Sequence, residues 1–241
     1  MSEFKKSQWS DSKYSKNYRD DANIYLPYRK QFIQVTKLFY KQYIPSNTKV
    51  KVLDLGCGDG FFINELLKSF APEEIVLVDG SSEMLENAKA RLIEHTNINF
   101  INATFQDLLT NDQLAGTYDF VFSSLAIHHL NSVEKEDLYK YIYSHLSPNG
   151  YFINYDVVLP SSEKLENVYL LLWSKWIKEN SEKETNEKLK GIPEQYKENS
   201  DNVPDSLESQ LEVLKKIGFK NVECYFKYGI FSLFGGNKQS E

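Results

Sequence analysis

The sequence predicts an α/β fold built on a mostly parallel, Rossmann-like sheet of seven strands. Three observations carry this. Short β-branched runs alternate with helical stretches from residue 49 to residue 158, and such alternation makes a parallel sheet covered by helices on both faces. A glycine cluster, Gly56-Cys57-Gly58-Asp59-Gly60, follows the first strand, where a sharp turn into a helix needs residues without a Cβ. Near the C-terminus two short runs flank Gly229; a connection that short makes them antiparallel neighbours.

The elements follow in order. Residues 49–55 (KVKVLDL) read as a buried strand. Residues 61–70 (FFINELLKSF) carry apolar residues at helical spacing, with Pro72 just beyond the end. A second strand covers 74–78, and a helix covers 82–93 with Ser81 or Ser82 as N-cap. Strands at 97–102 and 118–123, a helix at 134–146 and a strand at 151–158 complete the alternation, the last entered through a turn at Pro148-Asn149-Gly150. An amphipathic helix at 206–217, closed by Gly218, precedes the final strands at 221–228 and 230–234.

A single domain is expected. Residues 1–45 form an N-terminal segment whose second half reads as helical, 46–158 the core, 159–205 an inserted helical lid, and 206–241 the closing helix and strand pair. The lid reads as one long helix followed by a looser charged stretch. Trp173 and Trp176 share a helix face with Tyr169 and Leu172, either as core packing or as the wall of a substrate pocket.

Composition narrows the function. With 28 basic and 34 acidic residues the net charge is −6, which disfavours broad binding to nucleic acid or acidic membranes. No apolar run reaches the roughly 18 residues that span a bilayer, and the first 20 residues lack the apolar stretch of a secretory signal. Cys57 and Cys224 form no metal-spacing motif and are expected reduced. A cytoplasmic protein without a metal is the simplest expectation. The sequence leaves monomer or homodimer open.

The residues that carry chemistry cluster after the strands, where open sheets of this kind bind ligands. Asp54 stands at the end of the first strand, and the glycine cluster opens a helix whose N-terminal N–H groups suit an anionic group. Asp79 follows 19 residues beyond Gly60, the place from which an acid accepts ribose hydroxyls; the plainer alternative is a surface Asp in a turn with Gly80. The G-x-G-x-G spacing differs from the dinucleotide fingerprint, and no G-K-[ST] follows to make a P-loop.

On these residues the chain resembles the class I S-adenosylmethionine-dependent methyltransferases. The motifs are VLDLGCGDG (52–60), VDGS (78–81), YDFVFSSLAIHHL (118–130) and LSPNGYF (146–152). The resemblance implies the strand order 3-2-1-4-5-7-6 and an enzyme that uses S-adenosyl-L-methionine and releases S-adenosyl-L-homocysteine. It places the methionine part of the cofactor over Gly56, Cys57 and Gly58, with Asp54 steadying the loop. Asp79 and Gly80 meet the ribose, Met84 packs on the adenine or ribose, and Ser123 and Ser124 meet the methionine amino end. Where many relatives carry an acid for the adenine amino group, this chain has Thr104, followed by Phe105; Asp107, one turn on, is the alternative acceptor.

The ends of the chain are most similar to the carboxy-S-adenosylmethionine synthase branch, which acts in tRNA wobble-uridine modification and makes its product from prephenate. Leu26-Pro27-Tyr28 resembles that branch's tyrosine-bearing segment, making Tyr28 a cofactor contact, and residues 219–236 resemble its end. That branch holds an extra carboxylate with a lid arginine, whereas this chain has no Arg after Arg91, and lysine does not replace a bidentate guanidinium.

His128 and His129 are the adjacent ionisable pair nearest the expected site. His128 is the candidate general base; the alternative is that one imidazole caps the loop and the other faces solvent. The expectation is methyl transfer to a small-molecule acceptor. The rivals are carboxyl-bearing cofactor synthesis and a non-catalytic cofactor-binding module.

Overall fold

The computed structural model describes residues 21–44, 49–111 and 113–240. The aromatic positions Trp9, Tyr14 and Tyr18 therefore lie outside the described residues. The sheet contains β1 (Lys51–Leu55), β2 (Glu74–Asp79), β3 (Ile98–Asn102), β4 (Tyr118–Ser124), β5 (Leu146–Val157), β6 (Lys220–Tyr228) and β7 (Phe231–Asn237). Its order is β3-β2-β1-β4-β5-β7-β6. Strands β1 to β5 pair in parallel, and β7 runs antiparallel to both β5 and β6. Fold class and strand order are those expected.

Register positions the site. Leu55 is level with Val78 on one side and with Ser123 on the other. The carboxyl ends of β1, β2 and β4 therefore open side by side, at the point where strand order reverses.

The two faces carry separate apolar layers. Helices α1 (Arg29–Tyr43) and α2 (Phe61–Leu67) cover one face, against Val52, Phe120, Phe122 and Tyr155. Phe32 of α1 packs on Tyr155 with ring centroids 4.0 Å apart. Helix α3 (Ser82–Arg91) follows β2, and α4 (Phe105–Thr110) follows β3. Helices α5 (Ser132–His145) and α9 (Leu207–Ile217) pack on the opposite face, over Leu53, Val121 and Phe152. Successive strand residues alternate in direction, so Asp54 points to the same side as Val52, the side of α1 and α2.

Four readings change. The insertion is three helices, α6 (Glu163–Asn180), α7 (Lys183–Leu189) and α8 (Ile192–Glu198), in place of one helix and a loose stretch. Leu189 and Pro193 are buried inside it, contacts that the surrounding Glu and Lys conceal in sequence. Helix α4 forms where none was read, on a capping box between Thr104 and Asp107. Helix α5 begins at Ser132 because Asn131 and Glu134 make a second capping box. The turn at 148–150 lies within β5, whose pairing with β4 begins at Tyr118↔Leu146 and shifts register before Phe120.

The insertion is fastened to the N-terminal segment. Trp173 Nε1 donates to the Tyr25 carbonyl at 2.6 Å, and Trp176 Nε1 to the Ile24 carbonyl at 2.9 Å. Among the described residues, no helix is long and apolar enough to cross a membrane.

Candidate active site

The glycine loop depends on backbone that side chains disfavour. Gly56 has φ +73°, and a Cβ there would stand 2.4 Å from the Cβ of Ala126. At Gly58, with φ +55°, a Cβ would meet no atom within 4 Å because the loop borders open space. Gly56 and Cys57 both donate their N–H groups to the Val78 carbonyl, at 2.8 and 3.0 Å. Asp79 secures the rest: Oδ2 accepts from Gly58 N–H and Oδ1 from Ser81 N–H, each at 2.8 Å. Burial pushes the Asp79 carboxyl up to about 6, while those two backbone bonds pull it down. Arg91 braces the loop from outside, through the Asp59 carbonyl at 2.9 Å and the Asp59 carboxylate.

This loop borders a cavity of about 250 Å³. Of the predicted cofactor residues, Asp54, Gly56, Cys57, Gly58, Met84 and Ser124 line it. Asp79, Gly80 and Ser123 do not line it: Asp79 is bonded to the loop at Gly58, and Ser123 donates its hydroxyl to the Leu55 carbonyl at 2.7 Å. The Phe105 ring reaches the loop, with Cζ 3.4 Å from the Cβ position of Gly56. Burial pushes the Cys57 thiol well above its ordinary range, with nearby carboxylates adding to the effect, so it is a packing group here and not a nucleophile.

Two expected contacts are placed elsewhere. Thr104 caps α4: its hydroxyl accepts from Asp107 N–H at 3.1 Å and donates to the Asp107 carboxylate at 2.7 Å. Neither side chain lines the cavity. Tyr28 has a left-handed backbone, φ 54°, and its ring joins Trp176 and Tyr228 at centroid distances of 4.5 and 4.8 Å. The next residue, Arg29, borders the cavity instead, with Asn23.

Two unpartnered polar groups stand on the cavity wall. Both carboxylate oxygens of Asp54 are buried without a hydrogen-bond partner, and burial raises its carboxyl well above the usual range, with Asp79 adding to the shift. Arg29 Nε is also buried without a partner. Its Nη1 donates to Asn23 Oδ1 at 3.1 Å, and its guanidinium lies over the Phe61 ring at 3.8 Å. Buried polar groups normally find partners. A wall carrying an unpaired acid and an unpaired guanidinium N–H therefore suits a ligand bearing both an ammonium and a carboxylate, the amino-acid end that S-adenosylmethionine carries.

A second cavity, about 320 Å³, adjoins the first at Leu125, which lines both. Leu125 is held at φ +53° and donates its N–H to the Tyr155 carbonyl at 2.7 Å. His128 lines this cavity on a short turn after β4. Its Nδ1 lies 2.6 Å from Asp156 Oδ1, and its N–H donates to Asp156 Oδ2 at 2.9 Å. Asp156 also accepts from Val157 N–H at 2.9 Å. A carboxylate only accepts, so the proton of a neutral His128 sits on Nδ1 and Nε2 is its acceptor. Asp156, a buried acid in the apolar run FINYDVV, was not singled out in sequence; a carboxylate inside such a run is the available signal.

Neither imidazole faces open solvent. His129 shares a bond with the Asp201 carbonyl at 2.9 Å, and burial, with His128 close by, pushes it down to about 3. Among the described residues, no cluster of His, Cys, Asp and Glu could hold a metal ion.

With the sheet order, glycine loop and adjoining cavities described, residues 52–150 match the family model described as "Methyltransferase domain". Over this segment the chain is similar to S-adenosylmethionine-dependent methyltransferases. The chain is 24% identical over 227 residues to the carboxy-S-adenosyl-L-methionine synthase of Nautilia profundicola, covering 93% of this chain and 92% of that one. An O-methyltransferase family protein from Burkholderia thailandensis shares the fold with TM-score 0.67 and 14% identity, over 98% of this chain. That match spans 63% of the other chain, less than two thirds of its length. Magnesium protoporphyrin IX methyltransferase from Synechocystis PCC 6803, solved with bound SAH, has TM-score 0.58 and 15% identity over 87% of this chain and 83% of that one.

Proposed function

We propose that this protein transfers a methyl group from S-adenosylmethionine to a small acceptor seated in the larger cavity, with His128 as general base. The observation that carries the reading is the buried His128–Asp156 pair, bordering a cavity that meets the cofactor cavity at Leu125. Bound over the glycine loop, the cofactor supplies an electrophilic methyl group on a sulfonium. The chain's own residues do the rest. Leu125 and the two walls place the acceptor, His128 Nε2 takes the proton that the nucleophile loses, and Asp156 orients the imidazole and stabilises its cation. The net charge of −6 favours a small molecule over nucleic acid, and two free thiols fit a reducing cytoplasm.

The seat we assign to the cofactor uses Asp79 and Gly80 at the ribose, Met84 and Phe105 at the base, and Ser124 with the loop at the methionine. Asp54 faces the ammonium and Arg29 the carboxylate. Decarboxylated S-adenosylmethionine, which lacks that carboxylate, is expected to bind wild type at least 10-fold more weakly than the parent compound, about 1.4 kcal/mol. Arg29→Met is expected to abolish the preference. An undiminished preference in the variant, read by calorimetry, refutes the role.

Similarity across nine tenths of a carboxy-S-adenosyl-L-methionine synthase favours a second reading, synthesis of a carboxyl-bearing cofactor. Mass spectrometry of reactions with S-adenosylmethionine, with and without prephenate, separates the two. Methyl transfer yields S-adenosylhomocysteine and an acceptor heavier by one CH₂. A carboxylated cofactor that forms only with prephenate overturns the methyl-transfer reading.

A further inference from the structure

The larger cavity shows which acceptors it admits. We infer that its ligand is an uncharged aromatic compound carrying a hydroxyl or N–H as the methyl-accepting group, an inference that rests on the methyl-transfer reading above.

Charge is the first argument. The cavity wall contains one lysine, Lys188, and its ammonium is paired with Asp21 on the facing segment. His129 is neutral at physiological pH because its burial lowers it to about 3. The His128 imidazole is paired with the Asp156 carboxylate, Nδ1 to Oδ1 at 2.6 Å, so it offers no unpaired cation. Among the described lining residues no cation is left over, so a carboxylate or phosphate placed there would be desolvated beside Asp156 without compensation. A neutral ligand meets no such penalty.

Shape is the second. Trp173 and Phe231 stand perpendicular, with centroids 5.0 Å apart and an interplanar angle of 90°. Tyr196 meets Trp173 edge-on at 5.7 Å. With Tyr25 on the N-terminal segment they give the cavity aromatic walls on several sides, which suits another ring packed by offset or edge contacts. The indole N–H of Trp173 is occupied by the Tyr25 carbonyl, so the ring offers the cavity apolar surface.

Polar recognition is the third. Asn202 is tied back to the Tyr196 carbonyl at 2.8 Å, and Asn199 accepts from Asp201 N–H at 3.0 Å. Gln195 takes part in neither bond and lines the same wall. Its amide both donates and accepts, which matches a neutral ring substituent.

The test is a binding comparison in the full chain saturated with S-adenosylhomocysteine, read by tryptophan fluorescence. The probes are 4-hydroxybenzamide, 4-hydroxybenzoate and 4-hydroxycyclohexanecarboxamide. Wild type is expected to bind the benzamide at least 10-fold more tightly than either of the others. Gln195→Lys, which adds an unpaired cation to the wall, is expected to swing the preference at least 10-fold towards the benzoate. Equal or tighter wild-type binding of the benzoate overturns the charge argument, and equal binding of the saturated ring overturns the aromatic one. Failure of all three probes to bind wild type that still holds S-adenosylhomocysteine overturns the inference altogether. If the benzamide binds with the stated preference but never gains a methyl group, the ligand class stands and the catalytic reading falls.

Discussion

His128→Ala is expected to lower kcat by about 10²- to 10⁴-fold, the usual worth of a positioned general base, while affinity for S-adenosylmethionine stays within about twofold of wild type. The reasoning is geometric. His128 borders the larger cavity and is absent from the one beside the glycine loop, so its loss removes a proton acceptor without touching the seat proposed for the cofactor. Asp156→Asn is expected to produce a large part of the same loss. An amide turned towards Nδ1 can present N–H where an acceptor is needed and so favours the wrong tautomer. Asp156 also accepts from the backbone of His128 and Val157, so this variant needs a melting curve beside its kinetics. Added imidazole is expected to restore part of the turnover of His128→Ala and none of that of wild type. Unchanged kcat in His128→Ala, on any acceptor that wild type methylates, removes the base from the mechanism.

Asp79→Asn is expected to weaken S-adenosylmethionine binding by at least 10-fold, about 1.4 kcal/mol. Asp79 accepts from Gly58 N–H and Ser81 N–H through separate oxygens. An amide satisfies one of these and turns a donor towards the other, which loosens the loop, and it also offers ribose hydroxyls a poorer acceptor. The wild-type affinity is expected to fall as pH drops through about 6, where Asp79 takes up its proton, and the variant is expected to lose that limb. Stability runs the other way. The folded-state carboxyl is raised from 3.8 to about 6, so the folded protein holds this proton more tightly than the unfolded chain. The associated stability is full below about pH 4 and is lost as pH rises through about 6, at most about 3 kcal/mol. Wild type should therefore gain stability relative to Asp79→Asn between pH 8 and pH 5. A difference in melting temperature that does not change with pH refutes the assignment.

Legibility differed from element to element. Strands β1, β2 and β4 were readable because apolar runs between glycine and polar breaks reflect burial on both faces. The loop was readable because its conformation excludes side chains: Gly56 cannot carry a Cβ next to Ala126. Helix α4 was missed because Thr104 was weighed as a ligand contact, although Thr104-x-x-Asp107 is itself a helix-start pattern. The insertion was misread because burial at Leu189 and Pro193 depends on what packs over them, and the local composition is polar.

At the site the division is sharper. Asp54, Gly56, Gly58 and Asp79 are close in sequence order to the strand ends that hold them, so motif spacing alone proposes them. Arg29, Asp156 and Gln195 come from an N-terminal helix, the fifth strand and the insertion, and no local pattern connects them. Tyr28 shows the limit: a single left-handed residue, φ 54°, turns its ring towards Trp176 and leaves Arg29 at the cavity. By itself the sequence determined the sheet and its glycine turn, because strand burial and positive φ act on residue types directly, and its family resemblance implied the cofactor class. Only the tertiary structure decided the larger cavity, the His128–Asp156 pair and the charge balance around them, because those depend on which distant groups meet and neutralise one another.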